Sequence, residues 1–137
     1  MSIPKPEQLK INPPLFGSNV SCGLFGIADD FVDEYLSLDE KFVKNKEASF
    51  FVRAQGESMA PYILPKDILI VDRSVQLFDK AVAAFFLNNH AICKQYIKKD
   101  GRVYLRSFNK SHADIPITED DQLDLFGVVT GIARSLI

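Results

Sequence analysis

The sequence predicts a mainly β protein with an N-terminal arm, and three observations support this fold class. Short apolar runs recur from Ala48 to the C-terminus, and their length and spacing are typical of strands. Asp100-Gly101 separates two of these runs and is a strong signal for a β-hairpin. The first 47 residues differ, because early prolines and several glycines interrupt regular structure there.

These observations divide the chain into an arm at residues 1–47 and a β-rich domain at residues 48–137. In the arm, Ser37 and Glu40 have capping-box spacing and predict a short helix, with an irregular acidic loop as the alternative. The domain is long enough to bury a core without disulfides or metals. Its predicted strands are residues 50–55, 67–72, 81–87, 91–97, 102–107 and 123–130.

The composition argues against several classes of protein. With 47% hydrophobic residues and a net charge of −2, the chain lacks the basic surface expected of a duplex-DNA-binding protein. No apolar run reaches the length of about 18 residues that a membrane span needs, and the N-terminus lacks the apolar core of a secretion signal. We therefore expect a cytoplasmic protein, in which Cys22 and Cys93 are free thiols. His90 and His112 are isolated, so no metal or other cofactor is expected.

Ser58 is the candidate nucleophile. It follows the apolar run at residues 50–54 and lies in the turn Gly56-Glu57-Ser58-Met59, just past a predicted strand. A serine after glycine in a turn is more often a turn former than a nucleophile, so Ser58 alone would indicate little.

Lys94 is the candidate general base. It lies in the apolar run at residues 91–96, where strand alternation places it on one face with Ile92 and Tyr96. Most strand lysines extend to solvent, but a lysine held on an apolar face is desolvated, which disfavours its charged form. A neutral lysine beside a serine is a general base beside a nucleophile.

The order of strand, serine turn, second strand and later lysine resembles the Ser-Lys peptidases of the LexA and UmuD family. The resemblance runs from about Leu15 to the C-terminus and includes Leu125-Phe126-Gly127-Val128-Val129, which is similar to the family's closing strand. It implies a LexA/signal-peptidase-like fold of the β-clip type, with several short coiled sheets. Ser58-Met59-Ala60-Pro61 is also similar to the serine motif of type I signal peptidases, which share the fold but are anchored in membranes.

Cys22-Gly23 resembles the bond between a small residue and a glycine at which this family cleaves itself. A scissile bond must enter the site extended, and glycine on the leaving side removes a steric barrier to close approach. We therefore expect self-cleavage between Cys22 and Gly23, with an ordinary loop glycine as the alternative interpretation of Gly23.

The short arm is similar to that of the UmuD branch of the family, the accessory proteins of error-prone DNA polymerases. It leaves no room before Cys22 for the helix-turn-helix domain of a LexA-type repressor. The resemblance implies a homodimer that is cleaved in the SOS response when a RecA–single-stranded-DNA filament stimulates it. It also implies that the product binds a Y-family, UmuC-like polymerase subunit.

Two departures from the family pattern keep other hypotheses open. Lys66-Asp67 and Lys80-Ala81 stand where the family often has Gly-Asp, which puts the geometry of these turns in question. A non-catalytic binding module that clamps a polymerase or a RecA filament is the main alternative. A soluble, signal-peptidase-like serine peptidase acting on other proteins is another.

Overall fold

The computed structural model describes residues 14–16, 32–35 and 38–137, and the chain forms two units, Met1–Lys41 and Phe42–Ile137. In the first unit, strand β1 (Pro14–Phe16) pairs antiparallel with strand β2 (Val32–Tyr35). The predicted short helix is present as α1 (Leu38–Phe42). Cys22 and Gly23 lie outside the described residues, so their role as the cleavage site stays a prediction.

The second unit contains an antiparallel sheet of seven strands, and the predicted mainly β class is confirmed. The strands are β3 (Ser49–Arg53), β4 (Ile68–Asp72), β5 (Val82–Leu87), β6 (His90–Lys99), β7 (Arg102–Arg106), β8 (Ile115–Pro116) and β9 (Leu123–Ala133). Their order across the sheet is β3-β4-β9-β5-β6-β7-β8. Every strand predicted from the sequence is present, to within three residues at either end. The additional strand, β8, has two residues and is too short to show a period.

Two tight turns fix the pairing of the central strands. Asp100 and Gly101 form the whole loop between β6 and β7, and their φ angles are 53° and 74°. Positive φ at both loop residues is characteristic of the type I′ turn that suits a twisted hairpin, so the predicted hairpin is confirmed. Asn88 and Asn89 connect β5 to β6 in the same manner, with φ angles of 50° and 70°.

Strand β9 joins the two halves of the sheet and has two irregularities in its pairing. Thr130 is the extra residue opposite β4, and Phe126 is the extra residue opposite β5. Such bulges bend a strand and increase its local twist. The bent strand therefore pairs with β4 through its C-terminal part and with β5 through its N-terminal part.

The buried side chains of the second unit form two clusters, and strand β6 contacts both. The first cluster is Met59, Ile63, Leu69 and Val71, and the second is Ala83, Phe85 and Leu105. Cys93 packs against the first cluster, whereas Ile92 and Tyr96 pack against the second. Lys94 lies between these contacts along β6, which explains why its side chain is enclosed.

Candidate active site

Ser58 is held in a turn that begins directly after β3. Gly56 has a φ of +76°, which glycine adopts without steric cost and which redirects the chain at this point. Met59 is only 4% exposed and anchors the other end of the turn in the first core cluster. The half-buried Ser58 thus lies between a backbone reversal and a core residue.

Lys94 reaches Ser58 from strand β6. Its Nζ atom lies 2.6 Å from Ser58 Oγ and donates a hydrogen bond to it. The residue is only 8% exposed. Burial lowers the pKa of the Lys94 ammonium, and the neighbouring Cys93 opposes this effect in part. The structure therefore brings the two residues singled out from the sequence into direct contact.

Among the described residues, no carboxylate lies within ion-pair distance of Lys94. Two ion pairs occur among the described residues, Arg106 with Asp114 and Arg134 with Asp67, and neither includes Lys94. An ammonium that is removed from water without a carboxylate partner is disfavoured relative to the neutral amine. The lowered pKa of Lys94 follows from its burial.

Cys93 lies beside Lys94 and does not compete with Ser58 as a nucleophile. Burial raises the pKa of the Cys93 thiol to about 11, although the charge of Lys94 acts in the opposite direction. The thiolate is the nucleophilic form of cysteine, so a thiol with this pKa is unreactive at neutral pH.

The pair opens into a cleft of about 450 Å³. Its walls come from the end of β3 with residues 54–56, from the serine turn, and from β5 and β6. The apolar side chains of the wall include Val52, Ile63, Leu69, Phe86, Ile92 and Phe126. In the described part of the chain, β3 is an edge strand of the large sheet, so its outer backbone groups are available to pair with an extended peptide.

The serine turn also offers backbone donors. In the described part of the chain, the amide N–H groups of Ser58 and Met59 donate to no protein acceptor. Glu57 O, in contrast, accepts a hydrogen bond from the amide of Ala60 at 3.1 Å. Unused N–H groups beside a nucleophile can stabilise the negative oxygen that develops when a carbonyl is attacked.

Lys66 and Lys80, the two departures from the family pattern, adopt a backbone conformation that glycine favours. Their φ angles are 75° and 73°, in the left-handed region that glycine enters most easily, which accounts for glycine in the family pattern. The amides of both residues donate hydrogen bonds to other segments of the chain. The Lys66 amide donates to Ala54 O at 2.9 Å, and the Lys80 amide donates to Tyr96 O at 2.7 Å.

One residue that contacts the serine turn escapes the sequence analysis. The amide of Asn109 donates to Ser58 O at 2.9 Å, and Asn109 Nδ2 donates to Glu57 O at 3.1 Å. The segment Phe-Asn-Lys-Ser around Asn109 has the composition of an ordinary turn. Only the folded chain places this loop against a turn more than fifty residues earlier.

The described residues also bear on metal binding and on membrane insertion. None of their His, Cys, Asp and Glu side chains group in the way that holding a metal ion would require. Over the same part of the chain, no helix combines the length and the hydropathy needed to cross a membrane.

The fold and this site define a class of protein: a β-rich domain in which a buried lysine contacts a serine at the edge of an apolar cleft. Residues 14–130 match the family described as Peptidase S24-like, and the chain belongs to that family. The family is one of self-cleaving serine peptidases.

Curated relatives are of two kinds. The chain is similar to the LexA repressor of Clostridium kluyveri, at 28% identity over 131 residues, which covers 95% of this chain and 62% of that protein. It is also similar to Protein SamA of Salmonella typhimurium, at 28% identity over 128 residues, 93% of this chain and 89% of SamA. With Protein MucA of Salmonella typhimurium it shares 27% identity over 122 residues, 85% of this chain and 81% of MucA. The chain thus spans about 62% of the length of that LexA repressor.

Proposed function

We propose that this protein is a self-cleaving serine peptidase in which Ser58 is the nucleophile and Lys94 is the general base. The observation that carries the proposal is the 2.6 Å contact between Lys94 Nζ and Ser58 Oγ. Burial lowers the pKa of Lys94, which favours the neutral amine that a base requires. Membership of the Peptidase S24-like family supports the same chemistry.

The proposed reaction cleaves the bond between Cys22 and Gly23. Neutral Lys94 accepts the hydroxyl proton as Ser58 Oγ attacks the carbonyl carbon of Cys22. The resulting oxyanion accepts hydrogen bonds from the Ser58 amide and a neighbouring amide of the turn. The carbon–nitrogen bond then breaks, and the Lys94 ammonium returns its proton to the amine of Gly23.

Water completes the reaction. It hydrolyses the ester between Ser58 Oγ and the Cys22 carbonyl, and Lys94 again accepts a proton as the water attacks. The products are a fragment that ends in the Cys22 carboxylate and a domain that begins at Gly23, with the hydroxyl of Ser58 restored.

The relatives support a setting for this reaction. We propose that a RecA–single-stranded-DNA filament stimulates cleavage in the SOS response, and that the product is a homodimer. The product would then bind a Y-family, UmuC-like polymerase subunit as its accessory protein. Similarity to SamA and MucA, which are UmuD-like relatives, supports the proposed accessory role.

The binding-module hypothesis was based on doubt about the turns at Lys66 and Lys80. Both lysines adopt the left-handed conformation that glycine favours and both amides are hydrogen-bonded, which supports well-formed turns. The intact contact between Ser58 and Lys94 favours a catalytic pair over a vestigial one.

The experiment compares the wild type with Ser58→Ala and Lys94→Met after incubation with RecA filaments. Lys98→Met is the matched control, because Lys98 is an exposed lysine on the same strand. Intact mass should show a product of residues 23–137 for the wild type and the control, and an uncleaved chain for the other two variants. Circular dichroism should show all four proteins folded. A cleaved Ser58→Ala protein, or an intact wild type, would rule out the proposal.

A further inference from the structure

The loop that follows β7 contacts the serine turn through Asn109. This residue uses two donors, its backbone amide to Ser58 O at 2.9 Å and its side-chain Nδ2 to Glu57 O at 3.1 Å. These are the carbonyl groups on the two sides of the Ser58 Cα atom. A single residue therefore holds both peptide planes that flank the candidate nucleophile.

The direction of these carbonyls fixes the direction of two amides. A trans peptide unit is planar, and its C=O and N–H groups point in opposite directions. Because Glu57 O points to Asn109, the amide N–H of Ser58 points away from it. For the same reason, the amide N–H of Met59 points away from Asn109. Neither of these N–H groups donates to a protein acceptor in the described part of the chain.

The orientation of the Asn109 side chain is itself set by its neighbours. Asn109 Oδ1 accepts hydrogen bonds from the amide of Ser111 at 3.0 Å and from its hydroxyl at 2.7 Å. Since both of these groups are donors, the oxygen faces Ser111 and the nitrogen faces Glu57. Phe108 packs against the first core cluster, and its ring lies 5.0 Å from that of Tyr62. The loop is therefore anchored on both sides of the contact.

We propose that Asn109 is a positioning residue for the peptidase site. By holding both peptide planes, it directs the amides of Ser58 and Met59 toward the oxyanion and holds Ser58 Oγ within reach of Lys94. Asn109 acts through the turn and is not among the residues that line the cleft. This inference rests on the proposed peptidase function and adds a residue that neither the serine motif nor the lysine strand contains.

The test removes the side-chain donor of Asn109 in two ways. Asn109→Asp keeps the oxygen that accepts from Ser111 but turns an oxygen toward Glu57 O, whereas Asn109→Ala removes the side chain. Lys110→Ala is the matched control, because it shortens an exposed side chain of the same loop and leaves both bonds to the serine turn in place. We expect self-cleavage to slow by about 10- to 100-fold in the two Asn109 variants, as when oxyanion donors are misplaced, and to keep its wild-type rate in the control.

Two further readouts separate positioning from a general loss of structure. The pH at which cleavage of Asn109→Ala reaches half its maximal rate should match the wild type, because Lys94 keeps its surroundings. The backbone amide resonances of Ser58 and Met59 should shift in Asn109→Ala and stay in place in Lys110→Ala. A displaced pH midpoint, or unchanged cleavage rates in both Asn109 variants, would overturn the inference and leave the peptidase proposal standing.

Failure of the peptidase proposal gives a different pattern. A wild type that stays intact with RecA filaments would overturn the catalytic assignment. In that case, shifted Ser58 and Met59 resonances in Asn109→Ala would still support the role of Asn109 in orienting the turn, whereas unshifted resonances would overturn it.

Discussion

At the scale of single residues, Lys94 serves the proposed chemistry at a cost to the stability of the fold. Its folded-state pKa is lowered by burial, so between that value and the unfolded value the unfolded chain binds more protons. The loss of stability caused by burying the Lys94 ammonium is therefore fully present below the lowered pKa. It fades as the pH rises to the pKa that Lys94 has in the unfolded chain. The alternation of side chains along the predicted strand indicates the burial of Lys94 from the sequence alone. The position of the Ser58 turn over β6 is not indicated in this way, because it depends on the whole sheet.

The first prediction concerns the pH dependence of self-cleavage without RecA. If neutral Lys94 is the base, the rate follows the fraction of deprotonated lysine. The logarithm of the rate should rise with a slope of about one per pH unit and level off at the lowered pKa of Lys94. A cleavage time course from about pH 6 to about pH 10 measures this, with circular dichroism at each pH. A rate that is flat, or that falls while the fold persists, contradicts a lysine base.

The second prediction concerns the strained backbone at Lys80. An L-residue in the left-handed region costs roughly 1–2 kcal/mol, and glycine offsets this at an entropic cost of about 0.5–1 kcal/mol. Because the Lys80 side chain is exposed, Lys80→Gly should raise the free energy of unfolding by about 0.5–1 kcal/mol. Urea denaturation measures the change. Lys80→Ala is the control, since it removes the same side chain and retains the strain; an equal gain in both variants would show that φ is not the cause.

At the scale of secondary-structure elements, the sequence predicts strands well where periods and turn residues are clear. Asp100-Gly101 marks its hairpin in the sequence, whereas Asn88-Asn89 forms the same kind of turn with a weaker signal. Strand β9 extends three residues beyond its predicted end. Its two bulges interrupt the alternation on which the prediction depends, because each one shifts the side chains that follow to the other face.

The third prediction concerns Gly127, where β9 passes close to β4. A Cβ atom at Gly127 would lie 2.6 Å from Val71 Cγ1, a contact that cannot exist without a shift of a fully buried side chain. Gly127→Ala should therefore lower the free energy of unfolding by about 1–3 kcal/mol.

Gly131→Ala on the same strand is the control for Gly127→Ala. Its Cβ would meet the end of the flexible Ile70 side chain at 3.2 Å, so its effect should be smaller. In a protein that already carries Val71→Ala, the Gly127→Ala substitution should lower the free energy of unfolding by less than it does in the wild type. The reason is that Val71 Cγ1, the atom that the new Cβ would meet, is then absent. Equal costs for the two glycine variants in thermal or urea unfolding would contradict the steric account.

At the scale of the whole molecule, the sequence identifies the pair Ser58 and Lys94 but not the contacts that support it. Motifs reveal residues whose type is required by chemistry, such as a serine in a glycine turn. Asn109 supports the site through hydrogen bonds to a distant segment, and its local sequence resembles an ordinary turn. Such residues can be found only once the fold is known, because their role depends on what the sheet places beside them.

Asp67 links the segment after the serine turn to the C-terminal end of the chain. Its carboxylate is 1% exposed, and both of its oxygens accept hydrogen bonds from Arg134, each at 2.6 Å. It also accepts a hydrogen bond from the amide of Leu64 at 2.7 Å. The Arg134 guanidinium holds the pKa of Asp67 below its usual value, although burial acts in the opposite direction. A buried carboxylate left without its partner is strongly destabilising.

The fourth prediction is that Arg134→Gln destabilises the protein far more at neutral than at acidic pH. In the wild type, the lowered pKa means that the pair stabilises the fold above the unfolded value of 3.8 and loses this effect as pH falls through the folded value. In the variant, Asp67 is buried without the guanidinium, which raises its pKa. The cost of burying the unpaired carboxylate therefore lowers stability at neutral pH and disappears when the carboxyl is protonated. Thermal unfolding from neutral to acidic pH measures both effects.

Arg106→Gln is the control for Arg134→Gln. It breaks the pair with Asp114, in which both side chains are more than a third exposed, and it should change stability little at any pH. Equal losses in the two arginine variants, or a loss in Arg134→Gln that grows as pH falls, would contradict the role of Asp67 as a buried charge that joins the serine segment to the C-terminal end of the chain.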